Sequence, residues 1–407
     1  MENDLIKLKN DASSMIIAAE DAEELNAVKM DFLGLETLDL IRDCIANIKE
    51  NYGVDIKPYE IPLNDDNVYQ MLCDGYTWGV FQMWKEGISE FTADIKPKNM
   101  KDGSLILALY RPGPMDNKWH LDTVKIRKGE KQPEYLIPEL KSILEETSGI
   151  IVYQEQVLEI AKVMSGYTLV EADSLRRAIG KKLPEEMAAN KNRFIDGAIK
   201  NGYKRETAEQ LFAEIEKSAD YSFNKSHSVL YFMLSYITAW LKYHYPTEFI
   251  AAGITMDSED AERDFKLQRW IEEAERLGVK VQFPDIHTSK INTYGISKNA
   301  LYGLGQIKGL SGVAIEEIIR LRPFKGLRDL CFKVDKSTVT TRDLMALIDS
   351  GSLDCFKLPR SQMRNLIPGL IKSRKKNIPG QMALFEIDEA KPSGIDDKME
   401  NLILQRE

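Results

Sequence analysis

The stretch Tyr221–Tyr243 reads YSFNKSHSVLYFMLSYITAWLKY, a short polar run followed by a long apolar one. The spacing of its apolar residues predicts a helix that begins near His227. Ser and Asn are typical N-cap residues, so Ser226 or Asn224 is expected to cap this helix. The same helix start offers backbone N–H groups, which makes Asn224, Lys225 and His227 candidates for binding an anion. Capping and anion binding are compatible roles.

The same helical periodicity continues outward from this stretch on both sides. Further helices are predicted at Glu36–Tyr52, Pro138–Thr147, Gln154–Ser165, Val170–Ile179, Pro184–Asn201, Arg205–Ala219 and Ala261–Leu277. Short strand signals occur at Val279–Phe283, Asn292–Ile296 and Ala300–Tyr302. Between Val54 and Pro114, many Pro and Gly residues predict an irregular segment that wraps a scaffold. The fold class is therefore expected to be mainly α (α+β overall), with a large helical body followed by a smaller helical module.

Composition limits the class of protein. A chain of 407 residues predicts two or three domains, and contents of 43% apolar and 29% charged residues are typical of soluble globular proteins. No apolar run is long enough to span a bilayer and the N-terminus is not a secretory signal, so a cytoplasmic protein without membrane contact is expected. The four cysteines form no Cys-x-x-Cys pair and are expected to be buried free thiols: Cys44, Cys73, Cys331 and Cys355.

The net charge of -9 argues against nucleic-acid binding by the chain as a whole, but phosphate binding needs only a local cluster of cations. One such cluster lies in Asp173–Lys182, at the end of a predicted helix. Its cations are Arg176, Arg177, Lys181 and Lys182. They are explained equally well by phosphate binding or by the preference of cations for a helix C-terminus.

A second candidate lies at Lys308, Gly309 and Gly312, a Lys-Gly-x-x-Gly hairpin before an amphipathic helix. Such a hairpin exposes N–H groups to a DNA phosphate, or it is a simple corner between helices. A weaker second unit is predicted at Val339–Phe356.

Near the C-terminus, the pentapeptide Gln381–Phe385 lies in a polar segment, where it is either a docking peptide or a packed anchor. Its docking residues would be Gln381, Met382, Leu384 and Phe385.

Asp31, within Lys29–Leu35, is a third candidate, because nucleotidyl transfer uses clustered carboxylates to hold two Mg²⁺ ions. A lone Asp cannot hold both ions, and a helix cap or turn is the alternative role.

In order along the chain, these stretches resemble the family C polymerases, the bacterial replicative DNA polymerase III alpha subunits. The matching landmarks are KMDFLGL (Lys29–Leu35), TWGVFQM (Thr77–Met83), ALYRPGPM (Ala108–Met115), GIIVYQEQV (Gly149–Val157), LRRAIGKK (Leu175–Lys182), FNKSHS (Phe223–Ser228), HYPTEF (His244–Phe249), YGLGQIKGL (Tyr302–Leu310) and LIDSGSLD (Leu347–Asp354).

The resemblance implies a role for each candidate. Asp31 would be a catalytic metal ligand of the palm domain, with Lys29 near the primer end. The cations of LRRAIGKK and the residues Asn224, Lys225 and His227 would face the incoming dNTP. Paired helix-hairpin-helix motifs at 302–356 would hold duplex DNA, and Gln381–Phe385 would bind the sliding clamp. The implied domains are palm remnant 1–35, fingers 36–255, clamp-binding domain with tandem helix-hairpin-helix 256–360, basic linker 361–380, clamp peptide 381–385 and polar tail 386–407.

The implied activity is addition of dNTPs to a primer 3′ end with two Mg²⁺ ions on primer-template DNA. The family's two other palm aspartates are absent from these residues, so a complementary segment carrying the rest of the palm is an expected partner, and the chain alone is expected to be inactive. The alternative is a non-catalytic relic that binds DNA and clamp. Two departures from the family pattern are Trp84-Lys85 in place of Glu-Ser, and Ser222 in place of Gly, which is expected to strain its loop.

Overall fold

The computed structural model describes residues 34–181, 184–219 and 221–374, and two short strands nearer the N-terminus. These strands, Leu5–Lys7 (β1) and Ser13–Met15 (β2), pair antiparallel with Ile6 opposite Ser14. The chain divides into two compact units, Met1–Asp39 and Leu40–Glu407. The first contains the β1–β2 hairpin, and the second contains the helical body.

The described residues form a mainly α fold, as predicted. The helices are α1 (Glu36–Tyr52), α2 (Asp66–Cys73), α3 (Glu86–Ile95), α4 (Met100–Leu109), α5 (Pro112–Asp116), α6 (Trp119–Arg127), α7 (Lys141–Leu144), α8 (Gln154–Ser165), α9 (Leu169–Lys181), α10 (Pro184–Lys200), α11 (Arg205–Ala219), α12 (Lys225–His244), α13 (Pro246–Met256), α14 (Arg263–Arg276), α15 (Gly312–Leu321), α16 (Leu327–Lys333), α17 (Thr341–Asp349) and α18 (Arg360–Arg374). A small sheet consists of β3 (Lys280–Gln282), β4 (Tyr294–Ile296) and β5 (Asn299–Leu301).

The central strand of this sheet is β5. It pairs parallel with β3, placing Val281 opposite Ala300, and antiparallel with β4, placing Gly295 opposite Ala300. The three strand signals in the sequence are therefore confirmed, although β3 and β4 are shorter than predicted and β5 begins one residue earlier. None of the helices in the described ranges is both long and apolar enough to cross a membrane.

Helix α12 confirms the prediction made from Tyr221–Tyr243 and begins two residues earlier, at Lys225. Its N-cap is Asn224, whose side-chain oxygen accepts the N–H of His227 at 2.8 Å. Ser222, in the loop before the cap, is not among the described non-glycine residues with positive φ. The expectation that Ser in place of Gly strains this loop is therefore wrong.

The prediction of an irregular segment between Val54 and Pro114 is also wrong, because α2, α3 and α4 lie there. Several of its Pro and Gly residues stand between α-helices: Pro97 separates α3 from α4, and Gly75 and Gly79 adopt positive φ in the turn after α2. Helix α4 packs along α12, so the segment belongs to the core rather than wrapping it. The predicted helix Pro138–Thr147 is three short pieces, because 3-10 turns flank α7 on both sides.

Three hydrophobic clusters form the interior of the second unit. The first runs from Leu40 to Ala300 around α12, the second from Ile137 to Ile215 around α7–α11, and the third from Ile286 to Leu370 around α15–α18. Trp270 of α14 is buried in the first cluster, which therefore extends beyond residue 255. The predicted domain boundaries remain predictions.

The four cysteines are free thiols, as expected, but not all are buried. Cys44 and Cys331 are buried and Cys73 is half-buried. Cys355 is exposed, contrary to the prediction, because it lies in a 3-10 turn whose three residues all remain accessible.

Candidate nucleic-acid interface

The beginnings of α8 and α12 are joined by a two-residue parallel bridge between Tyr153 and Phe223. The N–H of Gln154 donates to the Phe223 carbonyl at 3.0 Å, and the N–H of Phe223 donates to the Val152 carbonyl at 2.9 Å. Two stretches far apart in sequence, GIIVYQEQV and FNKSHS, therefore meet at their backbones. The starts of both helices are held at one place.

Arg111, from the stretch ALYRPGPM, fastens a third segment to this bridge. Its Nη2 donates to the Tyr221 carbonyl at 2.9 Å, and its Nε donates to the Ala108 carbonyl at 2.9 Å. The guanidinium carbon lies 4.1 Å from the ring centroid of Phe223, which is cation–π geometry. Burial lowers the pKa of Arg111 from its ordinary value, but arginine stays charged in proteins. The motif predicted no role for Arg111.

Beneath the bridge lies a buried hydroxyl cluster of Ser104, Tyr153 and Ser228. The Ser228 hydroxyl donates to the Ser104 carbonyl at 2.6 Å, and the two Ser Oγ atoms are 2.9 Å apart. The Tyr153 hydroxyl is 3.3 Å from Ser104 Oγ, and burial raises the pKa of Tyr153 to about 12. These neutral groups connect the first turn of α12 to α4. Their hydrogen bonds therefore hold in place the helix start that carries the anion-binding candidates.

Lys225 already has two carboxylate partners inside the chain. Its Nζ lies 2.5 Å from Glu146 Oε1, and its backbone N–H donates to Glu155 Oε2 at 3.0 Å. Asn224 is occupied as the cap described above. His227 is exposed, and its ring lies 4.1 Å from that of Tyr231. An anion approaching this helix start would therefore displace Glu146 or Glu155 before it contacted Lys225.

Arg176 and Arg177 share one carboxylate, that of Asp173 in the same helix. Asp173 Oδ1 lies 2.8 Å from Arg176 Nη2, and Asp173 Oδ2 lies 2.7 Å from Arg177 Nη2. Hydrogen bonds from the Arg176 guanidinium hold the pKa of Asp173 below its usual value, and those from Arg177 add to this. Two cations thus face a single anion. Within the described ranges, no ion pair joins these arginines to the carboxylates that hold Lys225.

The hairpin at Lys308 is exposed at the surface. Gly309 has a φ of 87°, a conformation that favours glycine, and the Leu310 N–H donates to the Ile307 carbonyl at 3.2 Å to close the turn. Ser311 is the N-cap of α15, and Gly312 is its first residue, with open space around its Cα. Lys308 and the hairpin backbone therefore project together into solvent.

A second hairpin, between α16 and α17, is joined to the first by Asp343. The Asp343 carboxylate accepts the N–H of Thr340 at 2.9 Å through one oxygen and the N–H of Ser311 at 2.9 Å through the other. Burial alone would raise the pKa of Asp343, but hydrogen bonds from Thr340 and Ser311 outweigh it and hold the pKa below its usual value. One buried carboxylate thus caps a helix in one hairpin and orients the other.

Arg342, next to Asp343, brings a second cation to the Lys308 hairpin. Its Nε is 3.7 Å from the position that a Cβ on Gly309 would occupy. Arg342 is exposed and has no carboxylate partner among the described residues. A second unit was predicted at Val339–Phe356, but Arg342 was not among the predicted site residues. Its position at the start of the second unit's helix was the available signal.

Several predicted site residues lie outside the described residues: Lys29, Asp31, Lys182, Gln381, Met382, Leu384 and Phe385. Lys181 is the last residue of α9, and its side chain is likewise outside the description. Among the residues that the structure does describe, no group of three or more His, Cys, Asp or Glu side chains could hold a metal ion.

Two stretches of the chain match models of known protein families. Residues 37–202 match the family model described as "Bacterial DNA polymerase III alpha subunit finger domain", and residues 278–363 match the "Helix-hairpin-helix motif". The first match covers the bridge segment at Tyr153 and helix α9, and the second covers both hairpins.

Three similar curated proteins are each named DNA polymerase III subunit alpha. The chain is 40% identical over 381 residues to that of Aquifex aeolicus, covering 91% of this chain and 32% of the relative. It is 41% identical over 388 residues to that of Pasteurella multocida, covering 90% and 33%. For Thermus aquaticus the identity is 36% over 403 residues, covering 95% and 32%. The chain therefore spans about one third of the length of these relatives.

Proposed function

We propose, because this chain is a segment of the bacterial DNA polymerase III alpha subunit family, that it binds the triphosphate of an incoming dNTP and holds primer-template DNA during template-directed synthesis. The observation that carries the proposal is the exposed pair of cations, Lys308 and Arg342, at two hairpins joined by Asp343. These hairpins belong to the same compact unit as the finger-domain match.

The hairpins would grip duplex DNA by its backbone. The N–H groups around Gly309 and the side chains of Lys308 and Arg342 suit phosphate oxygens, which carry no base identity. Because Arg342 stands beside Gly309, both hairpins contribute to one patch. The net charge of -9 does not oppose this, because phosphate contacts depend on local cations.

The double variant Lys308→Gln and Arg342→Gln is expected to weaken duplex binding by roughly tenfold or more at low salt. It should also reduce the slope of log affinity against log salt by about 1.8, since each lost phosphate contact removes about 0.9. Fluorescence anisotropy with a labelled duplex measures both quantities. Lys325→Gln, an exposed lysine of the same module, is the control and should leave both unchanged. Duplex binding by the double variant that equals wild type would refute the assignment.

The triphosphate would bind where Arg176, Arg177 and the α12 start, with Lys225 and His227, face solvent. Each arginine is now held by Asp173, and Lys225 is held by Glu146, so nucleotide binding would exchange internal carboxylates for phosphate oxygens. Lys181 and Lys182 would add charge at the end of α9. In this proposal the carboxylates keep the cations in place until the substrate arrives.

Removing the carboxylate shared by the two arginines should therefore favour the triphosphate. Asp173→Asn is expected to raise the affinity for a dNTP severalfold, because Arg176 and Arg177 no longer need to leave an anionic partner. Isothermal calorimetry with a dNTP and the matching nucleoside distinguishes the two parts of the ligand. The control is Glu209→Gln, which removes the carboxylate of an exposed pair with Arg205 elsewhere. A weaker triphosphate affinity in Asp173→Asn would contradict this exchange.

Catalysis is proposed for the assembled polymerase. Asp31 would supply one ligand to a pair of Mg²⁺ ions, with Lys29 near the primer end, and a complementary segment would supply the rest of the palm. The pentapeptide Gln381–Phe385 would bind the sliding clamp through Gln381, Met382, Leu384 and Phe385. These proposals rest on the family and on the residues that match its motifs.

A further inference from the structure

A group of exposed lysines surrounds helix α6, in a region that the proposed function does not use. They stand at the end of α3, in the following loop, at the start of α4 and along α6. Their members, which we call the α6 patch, are Lys96, Lys98, Lys101, Lys118 and Lys125. None of the five forms an ion pair with a carboxylate of the described residues.

Neighbouring ion pairs bring these elements together. The buried carboxylate of Asp102 lies 2.7 Å from Arg127 Nη2 through one oxygen and accepts the backbone N–H of Lys98 at 3.0 Å through the other. Lys128, just after α6, lies 2.6 Å from Asp94 near the end of α3. The end of α6 is therefore fixed against both α3 and α4.

The same pairs leave the α6 patch with uncompensated positive charge. Asp94, Asp102 and Asp122 are neutralised by Lys128, Arg127 and Lys131. Among the described residues of 94–131, Asp116 and Glu130 are the carboxylates without an ion pair. Five unpaired lysines thus stand against these two carboxylates and Asp74, which lies with Lys96 and Lys98 around Cys73, in a chain whose net charge is -9. A local surplus of this sign attracts a polyanion.

Helix α6 connects the α6 patch to the candidate nucleotide site. The ring of Trp119, at the start of α6, meets the ring of Tyr221 edge-on at 6.3 Å, and Arg111 holds the Tyr221 carbonyl. Lys118 is the residue just before α6 and has a φ of 59°, and Lys125 lies in the last turn of α6, so the two lysines stand at opposite ends of this helix. Between them Leu121 is 47% exposed. A row of lysine, leucine and lysine therefore leads away from the bridge.

We infer that the α6 patch binds the unpaired template strand ahead of the incoming nucleotide. This rests on the proposed function, in which the α12 start holds the triphosphate and the hairpins hold duplex. Template-directed synthesis places product duplex on one side of the nucleotide and unpaired template on the other. The hairpins, which the proposed function assigns to duplex, pack in a hydrophobic cluster of their own, whereas α6 packs on α3 and α5, so the α6 patch is a surface separate from the hairpins.

The chemistry of the row fits a single strand. Lysines spread over an exposed surface can follow the phosphates of a flexible strand, and an exposed apolar side chain between them can contact an unstacked base or sugar. The contacts would carry no sequence preference, because phosphates have no base identity. Single-stranded binding at the α6 patch should therefore depend strongly on salt and little on sequence.

The test compares the double variant Lys118→Gln and Lys125→Gln with wild type. Fluorescence anisotropy is measured with labelled oligothymidylate, a labelled blunt duplex and a primer-template with a 5′ overhang, over a salt series. Oligothymidylate affinity should fall roughly tenfold and its salt slope by about 1.4, because each single-strand contact contributes about 0.7. Blunt-duplex affinity should not change. Lys200→Gln with Lys204→Gln, two exposed lysines without a described ion pair, is the control and should match wild type.

Three outcomes overturn the inference: no oligothymidylate binding by wild type, unchanged oligothymidylate binding by the patch variant, or equal loss for single strand and duplex. The last would assign the α6 patch to duplex. Failure of the proposed function gives a different result. In that case duplex binding is absent, or the double variant Lys308→Gln and Arg342→Gln does not change it. Both proposals are supported if both variants bind the primer-template more weakly. The patch variant should then lose single-strand affinity alone, and the hairpin variant should lose duplex affinity.

Discussion

Replacing Glu273 with Ala is expected to lower the free energy of unfolding by about 3–5 kcal/mol, because it leaves the buried ammonium of Lys242 without its counter-charge. Lys242 is fully buried in α12, and its Nζ lies 2.5 Å from Glu273 Oε1. The same Nζ donates to the carbonyls of Tyr76 and Trp78, each at 2.8 Å. One cation therefore ties α12 to α14 and to the turn after α2.

Burial lowers the pKa of Lys242 to about 8, and the carboxylate of Glu273 limits the decrease. Lys242 thus remains mostly protonated at neutral pH while it is paired. Without Glu273, the chain must bury an unpaired cation, deprotonate it or open the contact between α12 and α14. Each route costs stability.

Urea denaturation followed by circular dichroism measures this loss. Glu272→Ala is the matched control, since that neighbouring carboxylate is 45% exposed and pairs with Arg269 at the surface. The control should lose at most about 1 kcal/mol. Lys242→Met combined with Glu273→Leu should recover part of the stability, because it removes both buried charges but leaves the Tyr76 and Trp78 carbonyls without the Lys242 donor. Equal small losses for Glu273→Ala and Glu272→Ala would show that the buried pair is not needed.

The second large effect is expected at Gly103, in the middle of α4. A Cβ at this position would lie 1.9 Å from Cζ of Phe232 and 2.1 Å from its Cε1. Phe232 is completely buried in α12, so its ring has no space to move into. Gly103→Ala should therefore destabilise the protein by about 3 kcal/mol, at the upper end of overpacking costs.

The control for Gly103→Ala is the same substitution at Gly369, a helical glycine of α18 with no atom within 4 Å of its added Cβ. There alanine should be neutral or stabilising by about 0.5–1 kcal/mol, because it restricts the unfolded chain. Thermal melts of both variants separate the steric effect from helix propensity. A Gly103→Ala variant as stable as wild type would mean that α4 and α12 can move apart.

Helices with strong apolar periodicity were predictable from the sequence, and α8 and α11 have the predicted limits. The error in residues 54–114 came from treating glycine as a helix breaker. Gly103 instead lets α4 approach the ring of Phe232 closely. This reason is visible only after the partner helix is known, since it depends on a contact between residues 129 positions apart.

The candidate site shows the same limit. The cations Arg176, Arg177 and Lys225 were identifiable by type and position, and the spacing of Asp173 one turn before the arginines could have indicated their pairing. Glu146 could not be assigned to Lys225, because the two are 79 residues apart and meet only through the bridge of α8 and α12. Ion pairs within one helix could be predicted from the sequence, whereas ion pairs between distant segments could not.

The carboxylate of Asp343 has a consequence for how the protein would move on DNA. Because its two oxygens hold Ser311 and Thr340 at fixed distances, the two hairpins keep a constant separation and orientation. If the hairpins bind duplex as proposed, two contacts held at one spacing would meet its phosphates and not its bases. After each step of one nucleotide, an equivalent set of phosphates would meet the same two hairpins. Such a grip would allow translocation along any sequence.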